Sequence, residues 1–159
     1  MKKGKKGFTL IEMLVVIAIV AILVAIIVPT VTASMAKANA TTDAANLRSV
    51  LGEANVVVFG EDHTPAQTVE YTSRENVKCK SFKNAKLYLV YTVPGFIDVF
   101  FVDGDVSYDP ETGVINGGSY YGLDYFCAVA EGRDTTGISL AQPTYAEGYD
   151  PFWHCLSDN

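Results

Sequence analysis

The chain opens Lys2-Lys3-Gly4-Lys5-Lys6-Gly7, continues Phe8-Thr9-Leu10-Ile11-Glu12, and then runs without a polar residue from Met13 to Val28, ending at Pro29. This stretch decides the fold. A helix rises about 1.5 Å per residue, so the apolar run and its flanks match the roughly 30 Å hydrocarbon core of a bilayer. The lysines hold their end on the cytoplasmic side, which places the remaining chain outside. Glu12 is the one carboxylate in the run. An ionised acid near a membrane helix centre costs about 2.5–3.5 kcal/mol on insertion scales and marks a partner or a function.

These residues resemble the prepilins of the type IV pilus and type II secretion families. There a short basic leader ends in glycine, and a Phe-Thr-Leu-Ile-Glu type run opens a long apolar helix. On this resemblance Gly7 precedes the cut, Phe8 is the first mature residue, Glu12 is the acid that follows it, and Pro29 is the proline at the far end of the run. The resemblance implies that a membrane-embedded aspartyl prepilin peptidase cleaves between Gly7 and Phe8 and N-methylates the new amine of Phe8. It further implies a single-pass prepilin held in the inner (cytoplasmic) membrane, then a homo-oligomeric helical filament on the cell surface, built by an assembly platform and its ATPase. Once cut, the Phe8 amine is a cation that the Glu12 carboxylate of a neighbouring copy can meet. Attraction in low dielectric is strong, but each charge must be desolvated, so the pairing chiefly avoids a penalty and selects register.

Two blander alternatives remain. A conventional signal peptide would use Ala36-Lys37-Ala38 or Ala38-Asn39-Ala40 as its cut, but the apolar run exceeds the usual 7–15 residues and contains a charge. A plain signal anchor would let Glu12 snorkel to the interface.

At 159 residues, with 49% of them hydrophobic, the chain allows one long helix and one modest globular domain. The expected organisation is a leader at 1–7, a helix over 8–59 with 8–29 in membrane or filament core, and an extracellular domain at 60–159. The formal charge is −6; removing a leader with four lysines leaves eight Lys and Arg against 18 Asp and Glu, or −10. So acidic a domain is unsuited to general nucleic-acid binding, which needs cations against phosphates.

Helix propensity continues through the alanine-rich sequence from Ala33 to Ala45, with a bend expected near Pro29. Leu47, Val50, Leu51, Ala54, Val57 and Val58 then recur at three- and four-residue steps, a face that needs cover. Residues 61–86 read as a solvated connection with a basic cluster, Lys78, Lys80, Lys83 and Lys86, whose functional alternative is a contact with acidic neighbours. Beyond it Leu87–Val93, a Pro94-Gly95 turn and Phe96–Val102 form two strands. Asp103-Gly104 carries a hairpin signal leading to Asp105–Tyr108, Gly117-Gly118 reads as a turn, and Tyr125–Ala130 reads as a last strand. The tail from Gly132 is loop-rich, with Phe152 and Trp153 as anchors. The fold class is α+β: a long N-terminal helix packed by its second half on an antiparallel sheet.

Cys79, Cys127 and Cys155 fall in the exported part, where disulfides form. The resemblance favours Cys127 with Cys155, similar to the disulfide-closed C-terminal region of many type IV pilins; the alternative pairs Cys79 with one of those two, and the thiol left over is expected to be buried and inert rather than reactive. Asp98, Asp103, Asp105, Asp109 and Glu111 supply oxygen ligands, but they lack EF-hand spacing and stand in ordinary turn chemistry, so no cofactor is expected; calcium stays the alternative, which the resemblance favours slightly because major pseudopilins of type II secretion have a calcium site in their sheet domain. His63 and His154 lack zinc-ligand spacing, and no nucleophile elbow, phosphate loop or dinucleotide fingerprint is present. The function that follows is structural, not enzymatic: a pilin whose filament serves adhesion or motility. The alternatives are a pseudopilin of a type II secretion or competence system and a membrane-tethered binding domain that never polymerises.

Overall fold

The computed structural model of the chain describes residues 7–59, 77–93, 96–109, 114–138 and 150–155. In order the elements are α1 (Leu10–Phe59), β1 (Lys86–Val93), β2 (Phe96–Asp109), β3 (Val114–Tyr121), α2 (Leu123–Glu131) and β4 (Asp150–Cys155). The chain is α+β, and it divides into two compact units, Met1–Met35 and Ala36–Asn159.

In the first unit α1 is apolar all round and continues through Pro29. Proline donates no N–H and crowds the preceding turn. Just beyond it, the hydroxyls of Thr30, Thr32 and Ser34 donate to the carbonyls of Ile27, Pro29 and Thr30 at 2.7, 3.0 and 3.0 Å. Their polar atoms are thus satisfied within the helix, which a lipid setting requires.

In the second unit the remaining part of α1 is amphipathic. Ala40, Asp43, Ala44, Leu47, Val50 and Ala54 are buried at three- and four-residue steps. The expected face is therefore present through Ala54, with the Val57 and Val58 side chains outside the described residues. It packs in one cluster with Leu87 and Leu89 of β1, Val99 and Phe101 of β2, Tyr121 of β3 and Phe126 of α2. Strand alternation sorts the rest: Tyr88, Val90, Val102 and Tyr120 form a second cluster. Register agrees with this sorting, since Leu87 stands opposite Phe101, Leu89 opposite Val99, and Val102 opposite Tyr120. The sheet is antiparallel in the order β3-β2-β1-β4.

Three local expectations are corrected. Asp103-Gly104 is not a hairpin turn: β2 runs on to Asp109, and the pairing register with β3 shifts between Asp103 and Val106. Gly117-Gly118 lies inside β3 rather than in a turn. Both strands kink here through positive-φ glycines, Gly104 (105°), Gly117 (88°) and Gly118 (73°). A Cβ on Gly117 would lie 2.5 Å from the Asp105 carbonyl oxygen, so the two backbones approach too closely for any side chain.

Third, Tyr125–Ala130 is not a strand but most of α2. Gly132 stops that helix in the left-handed region, its N–H bonding Val129 O and the Arg133 N–H bonding Ala128 O, the paired closure of a Schellman motif. The loop-rich tail also supplies β4, which pairs with β1, Cys155 opposite Tyr88 and Asp150 opposite Val93. Pro151 is tolerated because β4 is an edge strand. The Pro94-Gly95 turn lies outside the described residues.

Candidate functional site

The N-terminal end of α1 is built by a short local circuit. The Thr9 N–H and the Thr9 hydroxyl both donate to Glu12 Oε2 at 2.8 Å, and the Glu12 N–H points back to Thr9 Oγ1 at 3.4 Å. Thr9 is the N-cap and Glu12 the third helical residue, so Thr9-Leu10-Ile11-Glu12 is a capping box. The carboxylate closes the Thr9 N–H and the threonine hydroxyl closes the Glu12 N–H, two otherwise orphaned donors at the helix start. Both bonds use Oε2; among the described residues Glu12 Oε1 accepts none. Gly7 stands just before this cap, and a Cβ there would meet nothing within 4 Å. Its smallness is not required by the chain's own packing.

Past the cap, large apolar side chains are exposed along the whole helical face from Phe8, 75% exposed, to Met35, 59%. Burying each is worth roughly 1.5–3 kcal/mol, so tens of kcal/mol go unrealised by a lone chain in water. Among the described residues α1 is the one helix long and apolar enough to cross a membrane.

The second unit holds a different site. Asp43, fully buried on α1, accepts the Lys80 N–H at 2.7 Å and the Ser81 N–H at 2.8 Å, with the Cys79 thiol at 3.4 Å. A buried carboxylate is costly unless hydrogen bonds satisfy it, and here backbone amides do so in place of a cation. The Phe82 N–H in turn meets Cys79 Sγ at 3.4 Å, while the Phe82 ring stacks on Tyr121 with centroids 4.0 Å apart. Burial pushes the Cys79 thiol up to about 12, opposed by the Phe82 N–H and reinforced by the charge of Asp43. Cys79 is a free thiol buried in this unit.

Cys127 is a free, half-buried thiol that receives the Arg48 guanidinium at 3.1 Å. The side chain of its expected partner Cys155 lies outside the described residues, so the Cys127–Cys155 pairing stays a proposal. Asp98 and Asp124 line an open cleft of about 340 Å³ with Phe100, Gly122, Leu123, Tyr125 and Ile138. Burial raises the Asp98 carboxyl, its bond from the Val99 N–H at 2.8 Å counters this, and the Asp124 charge adds to the rise. No three acidic, histidine or cysteine side chains gather as a metal site among the described residues. His63, Asp109 and Glu111 have no described side chain, nor has His154.

Two residues of these sites were not singled out in the sequence: Thr9, which the Thr-x-x-Glu spacing marks as a cap, and Asp43, which nothing in its alanine- and threonine-rich surroundings distinguishes.

No curated protein and no solved structure matches the chain. The family model of the prokaryotic N-terminal methylation motif matches residues 2–28, a span that includes Gly7, Phe8, Thr9 and Glu12. That motif belongs to structural subunits rather than enzymes, and it implies processing by a prepilin peptidase from a membrane-anchored precursor and assembly into pilus-like filaments. Matched motif and exposed apolar helix overlap from residue 10 to residue 28, and the chain carries the type IV prepilin signature.

Proposed function

We infer that the chain is a pilin, cut between Gly7 and Phe8, N-methylated at Phe8, and polymerised through α1 into an extracellular type IV pilus that serves adhesion or motility. The observation that carries this reading is the coincidence of the methylation motif with an apolar helix left uncovered by its own chain. Lipid would cover that helix in the stored precursor, and the same helix of other copies would cover it in the fibre.

The open space around Gly7 supports a requirement imposed from outside the chain, as a peptidase cleft would impose it. In the stored subunit the capping box holds Glu12 without a cation, which lowers the cost of a carboxylate in lipid. After the cut, Glu12 Oε1 is the open acceptor to which the Phe8 amine of a neighbour can donate. Register follows from that pairing, and the apolar contacts supply the affinity.

The test is the N-terminal mass of the protein recovered outside the cell. Phe8 carrying one added methyl group supports the reading. A start near Asn39 would mean the apolar helix had been discarded and the reading is wrong.

A further inference from the structure

The segment from Lys78 to Lys86 holds four of the eight basic residues left after leader removal and no acid, in a chain then charged −10. Lys78, Lys80 and Lys83 are exposed, and among the described residues none of them is ion-paired; the pair found is Arg133 with Glu131. The usual fate of such a loop is to drift in solvent. Here its backbone is fastened beneath the lysines by Asp43 on Lys80 and Ser81, by the buried Cys79, and by the Phe82 ring on Tyr121. Asp43 takes main-chain N–H groups and leaves the ammonium of Lys80 uncompensated. The result is a cationic platform already ordered before it meets anything, the condition under which charge contacts lose least to entropy.

The same unit holds an ordered acidic counterpart. Asp103 and Asp105 flank Gly104 at the β2–β3 irregularity, Asp105 exposed and Asp103 half-buried, with the backbone fixed by the close approach of Gly117. We propose that the Lys80–Lys83 loop of one copy docks on the Asp103–Asp105 bulge of another, and that this contact sets the neighbour relation of the sheet units. It rests on the polymerisation reading above and adds the second half of the chain to it. A chain of net −10 repels its own kind, so a contact between copies needs the cationic loop turned toward an acidic surface.

The test uses the full chain in cells that process and assemble it, with four forms compared: wild type, Lys80→Glu with Lys83→Glu, Asp103→Lys with Asp105→Lys, and all four changes together. Mature net charges are −10, −14, −6 and −10 in that order, from the same residue counts. Each variant must first appear in membranes cut at Phe8. Like charges across the contact lower sheared filament protein about tenfold or more in either two-site variant, and the four-site swap restores it. Repulsion between copies without a specific contact makes the opposite forecast for the aspartate variant, whose lower net charge would improve assembly. Normal or better assembly of that variant overturns the proposal, and so does a swap as defective as its halves. A wild-type chain that is cut yet never leaves the membrane would sink the filament reading itself, a distinct result.

Discussion

Replacing Asp43 by alanine should release the loop at Lys80 and Ser81. The Lys80 and Ser81 N–H groups each lose their acceptor, at 2.7 and 2.8 Å in the intact protein. Each of these part-buried donors costs about 1–3 kcal/mol when left unsatisfied, so the two sum to about 2–6 kcal/mol against a typical domain stability of about 5–15 kcal/mol. Asp43→Asn keeps the shape but turns an NH2 toward one of the two donors, and should cost about 2–3 kcal/mol. Urea unfolding of the full chain in detergent micelles, followed by near-ultraviolet circular dichroism, reads this directly. With a slope of about 2 kcal/mol per molar, the alanine variant melts about 2 M earlier. Amide exchange adds a local check, because the Lys80 and Ser81 amides lose their protection while the strand amides of β1 and β2 keep theirs. An alanine variant within about 1 kcal/mol of wild type, with both amides still protected, would show that the buried carboxylate is not what holds the loop.

Gly117→Ala should cost about 2 kcal/mol or more, because a positive φ of 88° is combined with the 2.5 Å approach of Asp105; Gly137, with the same φ and open surroundings, should lose only the backbone share, and equal urea shifts for the two would discount the contact. The Cys79 thiol sits at about 12 against an ordinary 9.0, so above pH 9 the unfolded chain gives up this proton while the fold retains it. That thiol should then lower stability by at most about 1.4 kcal/mol per pH unit as pH rises from 9 toward 12, less where solvent screens it. Cys79→Ala should show a shallower slope than wild type, the remainder coming from groups such as Tyr120 and Tyr125 that burial also raises; an unchanged slope would refute the assignment. Asp98, raised by burial and by Asp124, favours the fold only while protonated, a contribution lost as pH rises through its folded value. Asp98→Asn should therefore gain on wild type in urea melts above about pH 4 and lose the advantage below it; a constant offset would refute the cause. Thr9→Val removes the cap at Glu12 and should weaken the first turn by about 1 kcal/mol, visible as faster amide exchange at Glu12; an unchanged rate would mean the capping box contributes nothing.

The long helix and the first two strands were legible because their periods were unambiguous. Leu47, Val50 and Ala54 keep a helical step and are buried, and Leu87–Val90 and Val99–Val102 alternate between the two clusters. The misplaced elements have physical reasons. Asp-Gly serves a hairpin or a strand irregularity equally well, and only the partner strand, with glycines at 117 and 118, decides between them. A six-residue aromatic and aliphatic run such as Tyr125–Ala130 fits a strand or a helix turn, and the glycines at 122 and 132 that bound α2 were the overlooked cue. At the processing site, the sequence showed the role of Gly7 and Phe8 by resemblance, yet it concealed that Glu12 already has work within its own turn. Asp43 was invisible because its partners are main-chain amides of residues 80 and 81, which no side-chain pattern records.

The strand order carries a consequence for biogenesis. Strand β1 has β2 on one side, made immediately after it, and β4 on the other, made only after β2, β3 and α2. In the export proposed above, β1 gains one neighbour early and keeps its other flank bare until residues 150–155 emerge. A bare flank invites strand exchange with any chain alongside, and precursors crowded in one bilayer lie alongside each other. Export rate and precursor density thus become determinants of correct folding, quite apart from the stability of the finished subunit.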